Sequence, residues 1–158
     1  MSFLPISINI TNKQILIIGG GRIASHKIKF IEPFTSNIKV VATEVLDDIK
    51  QKGYEYVEKP YDVSDLNDAF LIYACTNIIE LNKQVKADAE RLGKLCCVVD
   101  NPPLCDFVAP TIYKRGAYTV ACGSNAQDVY KSVEIRNKIK EYFEHDSSVF
   151  DNAKYAHL

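Results

Sequence analysis

The hydrophobic pattern of residues 1–110 alternates between short apolar segments and segments with helical spacing. Five short segments predict strands: KQILIIG, NIKVVAT, YEYVEKPY, AFLIYACT and KLCCVVD. KQILIIG is a continuous apolar run, as expected of a strand covered on both faces of a parallel sheet, whereas Pro60 cuts YEYVEKPY short. Helical spacing follows in segments that begin near Arg22, Glu44 and Ile79, and Pro33 predicts the end of the first helix. The order predicts a Rossmann-like, doubly wound parallel sheet with helices on both faces.

The pattern changes after this region. The segment NPPLCDFVAPTIYKRG contains three prolines and predicts a long irregular connection. AYTVACGS then predicts a strand, QDVYKSVEIRNKIKEYFEH a helix, and DSSVFDNAKYAHL a frayed helix. We therefore expect a first domain over residues 1–112 and a smaller α+β element with a short C-terminal tail over residues 113–158.

Composition excludes several classes of protein. The net charge is −1 and no basic run occurs, so we expect neither a nucleic-acid partner nor a membrane surface. No apolar run approaches the roughly 20 residues of a membrane helix, and the N-terminus lacks the features of a signal peptide. The odd number of cysteines, embedded in apolar segments, predicts reduced thiols in a cytoplasmic protein, with no zinc site or other metal site.

A glycine-rich loop joins the first strand to the first helix. Its sequence, GGGRIA, fits the dinucleotide-binding pattern G-x-G-x-x-[GA]. In that pattern Gly19 permits the tight turn, Gly21 lets a pyrophosphate approach the backbone, and Ala24 lets the helix pack closely. The amides of Arg22 and Ile23 then lie at the helix N-terminus, which attracts phosphate. The alternative is a structural turn in another open α/β sheet.

An acidic residue follows the second strand at the expected distance. Glu44 would accept hydrogen bonds from the adenosine ribose hydroxyls and repel a 2′-phosphate. No arginine lies nearby to hold such a phosphate, which favours NAD over NADP. The alternative is that Glu44 only supplies the acidic first turn of the next helix.

Two further candidates end later strands. Asp100 is the last residue of CCVVD, and ligand sites of open α/β sheets gather at the carboxyl ends of strands. Its carboxylate is a candidate general base or a group that orients a metal; the alternative is a turn residue before Asn101 and Pro102. Thr76 ends AFLIYACT and would face the cofactor crevice, or serve as a helix N-cap.

Over about residues 3–140 the chain resembles the precorrin-2 dehydrogenases, the N-terminal module of siroheme synthases, some of which are also sirohydrochlorin ferrochelatases. The resemblance is carried by LPISINITNKQILIIGGGRIASHK, by ACTN with a following Asn, and by CCVVDNPPLCDFVAPTIYKRGAYTVACGS. It implies oxidation of precorrin-2 to sirohydrochlorin with NAD, in a homodimer assembled through the second element, which also borders the substrate cleft. It also implies nucleotide contacts at Arg22, Ile23, Thr43 and Glu44, and a functional aspartate at Asp100.

One segment departs from the family pattern S-T-G-G-x-S-P. Here CGSNAQD is followed by Val129, so Asp128 replaces a serine and Val129 a proline. The chain also ends soon after residue 150, without the C-terminal helical region or fused methyltransferase of fuller members. We therefore expect weak or absent metal insertion. Two other hypotheses stay open: an NAD-sensing regulatory module without catalysis, and a scaffold whose segment after residue 113 serves dimerisation.

Overall fold

In the computed structural model, which describes residues 1–146, all five predicted strands of the first part are present. They are β1 Gln14–Ile18, β2 Ile38–Ala42, β3 Glu55–Glu58, β4 Ala69–Ala74 and β5 Leu95–Val98. The sheet order is β3-β2-β1-β4-β5, and every adjacent pair is parallel. This is the Rossmann-like strand order, with a switch point between β1 and β4. The predicted fold class is confirmed.

The sheet is covered on both faces because successive strand residues point to opposite sides. The helices of this part are α1 Arg22–Ile31, α2 Asp47–Lys50 and α3 Ile79–Arg91, with a 3₁₀ helix at Val63–Leu66. On one face α1 packs against Ile15 and Ile17. On the other, α3 packs against Leu16 and Ile18.

The second helix is shorter than predicted. The sequence predicted helical spacing from Glu44, whereas α2 begins at Asp47. The preceding backbone is extended because it is held at two points: the Val45 amide donates to Glu58 Oε1 at 3.0 Å, and the Leu46 amide donates to the Gly20 carbonyl at 3.0 Å.

The loop after β5 belongs to the first of two compact units, Phe3–Phe107. It contains a 3₁₀ helix at Pro102–Leu104 and is held by Asp106. The Asp106 amide donates to the Cys96 carbonyl at 3.0 Å, the Asp106 carboxylate accepts from the Cys96 amide at 2.9 Å, and Lys86 lies 2.6 Å from the same carboxylate. These contacts hold the loop as far as Asp106 on the first unit.

The second unit comprises Met1, Ser2 and the chain from Val108, described to residue 146. It contains an antiparallel hairpin and one helix: β6 Thr111–Arg115, β7 Tyr118–Cys122 and α4 Val129–His145. The predicted irregular connection is wrong for β6. Thr111, Ile112 and Tyr113 favour a strand, and the two-residue loop that begins with Gly116 in the left-handed region (φ +56°) closes the hairpin.

The predicted frayed helix at the C-terminus lies almost entirely outside the described residues. Within residues 1–146, no helix has both the length and the apolar character needed to span a membrane.

Candidate functional site

A cleft of about 330 Å³ opens at the carboxyl ends of β4 and β5. It brings together three of the predicted site residues, Ile23 from α1, Thr76 after β4 and Asp100 after β5. The other lining residues are Cys75, Asn77, Ile79, Asn82, Val98, Val99 and Asn101. The cleft therefore lies where open α/β sheets bind ligands.

The three glycines of the loop have different steric surroundings. Gly19 has φ +121°, and a Cβ there would lie 2.8 Å from the Cys75 carbonyl carbon. A Cβ on Gly20 would overlap the carbonyl oxygen of Glu44 and lie 2.8 Å from Val45 Cα, whereas a Cβ on Gly21 would meet nothing within 4 Å. Gly20, a variable position in the motif, thus has the strictest steric requirement, and Gly21 faces open space where a ligand can approach.

The N-terminus of α1 offers unpaired amides beside this open space. Gly21 is the N-cap residue; no side chain caps the helix and no acidic residue occupies its first turn. The amides of Arg22 and Ile23 consequently have no intrahelical acceptor. Ala24 is fully buried, so α1 packs closely on the sheet. Free amides, a helix dipole and a glycine without neighbours fit the pyrophosphate of a dinucleotide.

Thr43 and Glu44 follow β2 directly and are exposed. The next residue is fixed by Glu58, a residue that the sequence analysis did not single out. Glu58 accepts from the Val45 amide and pairs with Lys50 at 2.9 Å. The hydrogen bond from Lys50, followed by that from Val45, lowers the pKa of Glu58. The loop that carries Glu44 is therefore tied to the end of β3.

Asp100 occupies a tight turn at the end of β5. The Asn101 amide donates to the Val98 carbonyl at 3.1 Å, and Asp100 has φ +63°. Aspartate tolerates this left-handed conformation better than most residues. Within residues 1–146 its carboxylate forms no hydrogen bond and no ion pair, and the residue is exposed at the cleft. The geometry is compatible with both the turn-forming and the catalytic hypothesis.

Thr76 does not cap α3, because the N-cap residue is Ile78. Its hydroxyl instead accepts from the Ile78 amide at 3.1 Å and donates to Asn82 at 2.7 Å. Asn82 was part of the sequence motif but had no predicted role. Its burial, at 7% exposure, identifies it as the residue that fixes this corner of the cleft.

The basic residues of the second unit separate into two groups. Lys131 and Lys138 both pair with Glu134, so one of their two positive charges is compensated. A shallow groove of about 560 Å³ in the second unit is lined by Ile112, Tyr113, Lys114, Arg115, Arg136, Lys140 and Glu144. In it the Arg115 and Arg136 guanidinium groups donate to carbonyls of Phe143 and Ile112, and so help to hold α4 on the hairpin.

No group of three or more His, Cys, Asp or Glu side chains within residues 1–146 is arranged to hold a metal ion.

Comparison with known sequences identifies a family and several relatives. A family model described as "Putative NAD(P)-binding" matches residues 6–111. The siroheme synthase of Pseudomonas fluorescens (strain SBW25) is 32% identical over 146 residues, which cover 90% of this chain and 32% of that protein. Siroheme synthase 1 of Serratia proteamaculans (strain 568) is 28% identical over 144 residues, covering 89% of this chain and 30% of that protein.

Among solved structures, one described as "SirC, precorrin-2 dehydrogenase" matches with a TM-score of 0.77 and 23% identity, over 89% of this chain and 70% of that one. At this identity the likeness supports the fold. The chain spans about a third of the length of the curated siroheme synthases that it matches.

Proposed function

Because this chain belongs to the family described as "Putative NAD(P)-binding", we propose that it is a precorrin-2 dehydrogenase of siroheme biosynthesis that uses NAD. The relatives named siroheme synthase support the pathway. The observation that carries the proposal is the shared cleft: the N-terminal turn of α1, through Ile23, and an exposed carboxylate, Asp100, line the same cavity.

The residues at the glycine loop fit a dinucleotide. Gly21 leaves space for the pyrophosphate, the amides of Arg22 and Ile23 donate to it, and Gly19 and Ala24 let strand and helix come close. Thr43 and Glu44 hold the adenosine ribose, and the carboxylate of Glu44 disfavours a 2′-phosphate. When bound, NAD⁺ supplies the hydride acceptor.

The chain's own contribution to the chemistry is orientation and proton removal. Oxidation of precorrin-2 removes a hydride and a proton from the macrocycle, so a base beside the reacting carbon accelerates the step. Asp100 is that base, because its carboxylate lies at the cleft without a partner in the described chain. Thr76, held by Asn82, lines the same cleft.

The test is an anaerobic incubation of the protein with precorrin-2 and NAD⁺. We expect NADH and the sirohydrochlorin spectrum to appear together, and both to be absent with Gly21→Asp. A protein that binds NAD⁺ but never forms NADH with precorrin-2 would instead support the regulatory module without catalysis.

We propose that the second unit forms a homodimer. Its helix α4 carries four exposed apolar side chains, Val129, Tyr130, Ile135 and Tyr142, with Tyr130 90% exposed. A helix with several exposed apolar side chains can bury them against a second copy of the chain. Sedimentation at micromolar concentration should give a dimer for the native chain and a monomer for Tyr130→Asp. Tyr56→Asp, at an exposed tyrosine of the first unit, is the control that should remain dimeric.

We expect metal insertion into sirohydrochlorin to be weak, because the turn at residues 122–128 differs from the family pattern. Its helix-capping role is nevertheless kept: Asp128 Oδ1 accepts from the Lys131 amide at 2.8 Å, so Asp128 caps α4 as a serine would. Rapid, protein-dependent insertion of Fe²⁺ or Co²⁺ would contradict the expectation.

A further inference from the structure

Two cysteines on either side of the Asp100 turn lie in contact. The Sγ atoms of Cys97 and Cys105 are 3.7 Å apart. Cys97 is buried on β5, whereas Cys105 is half-buried in the loop that follows the 3₁₀ helix Pro102–Leu104. Among the five cysteines, all of which lie in the described chain, no other pair forms a sulfur–sulfur hydrogen bond.

We propose that Cys97 and Cys105 are a redox-active pair that forms a reversible disulfide when the protein meets a hydroperoxide. A disulfide bond is about 2.05 Å long, so the sulfur atoms must approach by less than 2 Å. Cys97 is fixed, because β5 is paired with β4 through the Tyr73–Cys97 register. Cys105 lies outside any helix or strand, so rotation of its side chain and adjustment of the short segment before Asp106 supply this approach.

The two thiols differ in reactivity. The hydrogen bond between the two sulfur atoms lowers the pKa of Cys105 and raises the pKa of Cys97, which burial raises further. Two charges of opposite sign act on Cys105: Lys27 favours the thiolate, and Asp106 opposes it. Because the thiolate is the nucleophile and Cys105 is also the more exposed sulfur, Cys105 reacts first.

The reaction balances in two steps. The Cys105 thiolate attacks one peroxide oxygen, the O–O bond breaks, and the departing hydroxide or alkoxide takes a proton, leaving a sulfenic acid. The Cys97 sulfur then attacks Cys105 Sγ, the S–O bond breaks, and hydroxide leaves as water with the Cys97 proton. The sulfur pair loses two electrons and the peroxide gains two. A thiol reductant reverses the change.

The disulfide would close a covalent ring around residues 98–104, which include Asp100. The chemical proposal stands independently of the proposed function, since the bond is detected by mass. The expected consequence, lower turnover in the oxidised protein, rests on the proposed dehydrogenase activity. Failure of the disulfide to form and failure of the proposed function can therefore be distinguished.

The experiment uses the full chain, reduced, freed of reductant and treated with stoichiometric hydrogen peroxide before the free thiols are alkylated. Cleavage before Asp100 separates the two cysteines, so a disulfide between them joins two peptides under non-reducing conditions. We expect two fewer free thiols than the five of the reduced chain and a Cys97–Cys105 link that dithiothreitol removes.

Cys96→Ser is the matched control, because Cys96 is the adjacent buried residue on β5 and packs in the core on the other face of the sheet. It should retain the link, whereas Cys97→Ala and Cys105→Ser should abolish it. Cys105→Ser changes a half-buried site and provides a folded variant if Cys97→Ala does not fold. A link to Cys96, a sulfenic or sulfinic acid at Cys105 without a link, or five unreacted thiols would each overturn the proposal.

Discussion

The side chain of Asn82 forms three hydrogen bonds with Thr76, although the two residues belong to different elements. Asn82 Oδ1 accepts from the Thr76 amide at 3.1 Å and from its hydroxyl at 2.7 Å, and Asn82 Nδ2 donates to the Thr76 carbonyl at 2.9 Å. The backbone after β4 is thereby fixed from α3. Since Gly19 packs against the neighbouring Cys75 carbonyl, the same hydrogen bonds indirectly support the glycine loop.

Replacing Asn82 should therefore weaken cofactor binding without touching the cofactor. Asn82→Asp keeps the acceptor but places an oxygen against the Thr76 carbonyl, and Asn82→Ala loses all three bonds. We expect a loss of about 1–3 kcal/mol in the free energy of unfolding, as for a buried polar group left unpaired. The KM for NAD should rise more than kcat falls. Urea unfolding measures the loss of stability, and steady-state kinetics measure KM and kcat. Lys83→Ala, on the exposed face of α3, is the control. Unchanged NAD affinity in both Asn82 variants would contradict an indirect role of Asn82 in cofactor binding.

The glycine loop allows stability and binding to be separated. Gly20→Ala should destabilise the protein by about 1–3 kcal/mol or more, because its Cβ would overlap backbone atoms of Glu44 and Val45. Gly21→Ala should change stability by less than about 0.5 kcal/mol, since its Cβ meets no protein atom. Gly21→Asp should abolish NAD binding through its bulk and its negative charge. Thermal unfolding measures the stability of the variants, and calorimetric titration measures their affinity for NAD. Equal stability of Gly20→Ala and Gly21→Ala would contradict the prediction for Gly20.

Glu44 should set the preference between the two nicotinamide cofactors. Glu44→Ala should narrow the preference for NAD over NADP by about tenfold or more, because a hydrogen bond to a charged group contributes about 1.5–3 kcal/mol. Glu55→Ala removes an exposed carboxylate on β3 and should leave the ratio unchanged. The dissociation constants of NAD and NADP, measured for each variant, test this prediction. Tighter binding of NADP than of NAD to the native chain would refute the role of Glu44.

The sequence predicted the elements of the sheet better than the contacts within the site. Strand runs and helical spacing determine which segments are buried, so the five parallel strands, α1 and α3 followed from the pattern, and the family resemblance is confirmed. The role of Gly20 and the Cys97–Cys105 contact depend on which loops meet at the edge of the sheet. The spacing of the three glycines, or of Cys97 and Cys105, along the sequence does not indicate which loops meet there. Strand β6 was missed because the prolines before it outweighed its β-branched and aromatic residues.

The turn before α4 carries strain that one substitution should relieve. Asn125 and Ala126 have φ +53° and +61°, and they occupy the places of the two glycines in the family pattern. Alanine in the left-handed backbone conformation is destabilising by about 1–2 kcal/mol. Glycine loses about 0.5–1 kcal/mol more conformational entropy on folding. Ala126→Gly should therefore raise the free energy of unfolding by about 0.5 kcal/mol, the difference between these effects. Ala121→Gly, in β7, is the control and should lower the free energy of unfolding. Chemical denaturation of both variants measures the two changes. A loss of stability in Ala126→Gly would contradict the expected strain.

Asp100 combines a turn conformation with an exposed carboxylate, and two substitutions distinguish these properties. Asparagine also tolerates φ +63°, so Asp100→Asn keeps the turn and removes the base. Asp100→Gly likewise permits the conformation but removes the side chain altogether. In both variants the backbone hydrogen bond from Asn101 to Val98 persists. We therefore expect thermal stability and NAD affinity close to those of the native chain.

Turnover should behave differently, because the loss of a general base typically costs a factor of about 10²–10⁴ in rate. We expect both variants to lose precorrin-2 oxidation by that order, measured as anaerobic NADH formation on the same preparations used for stability and affinity. Asp100→Ala adds a third comparison, since alanine should be strained in this turn and so lose stability as well as rate. Near-native turnover in Asp100→Asn would remove the carboxylate from the mechanism. Lost stability in Asp100→Asn with proportionate loss of rate would leave Asp100 a turn residue, which positions the Pro102 loop but takes no proton.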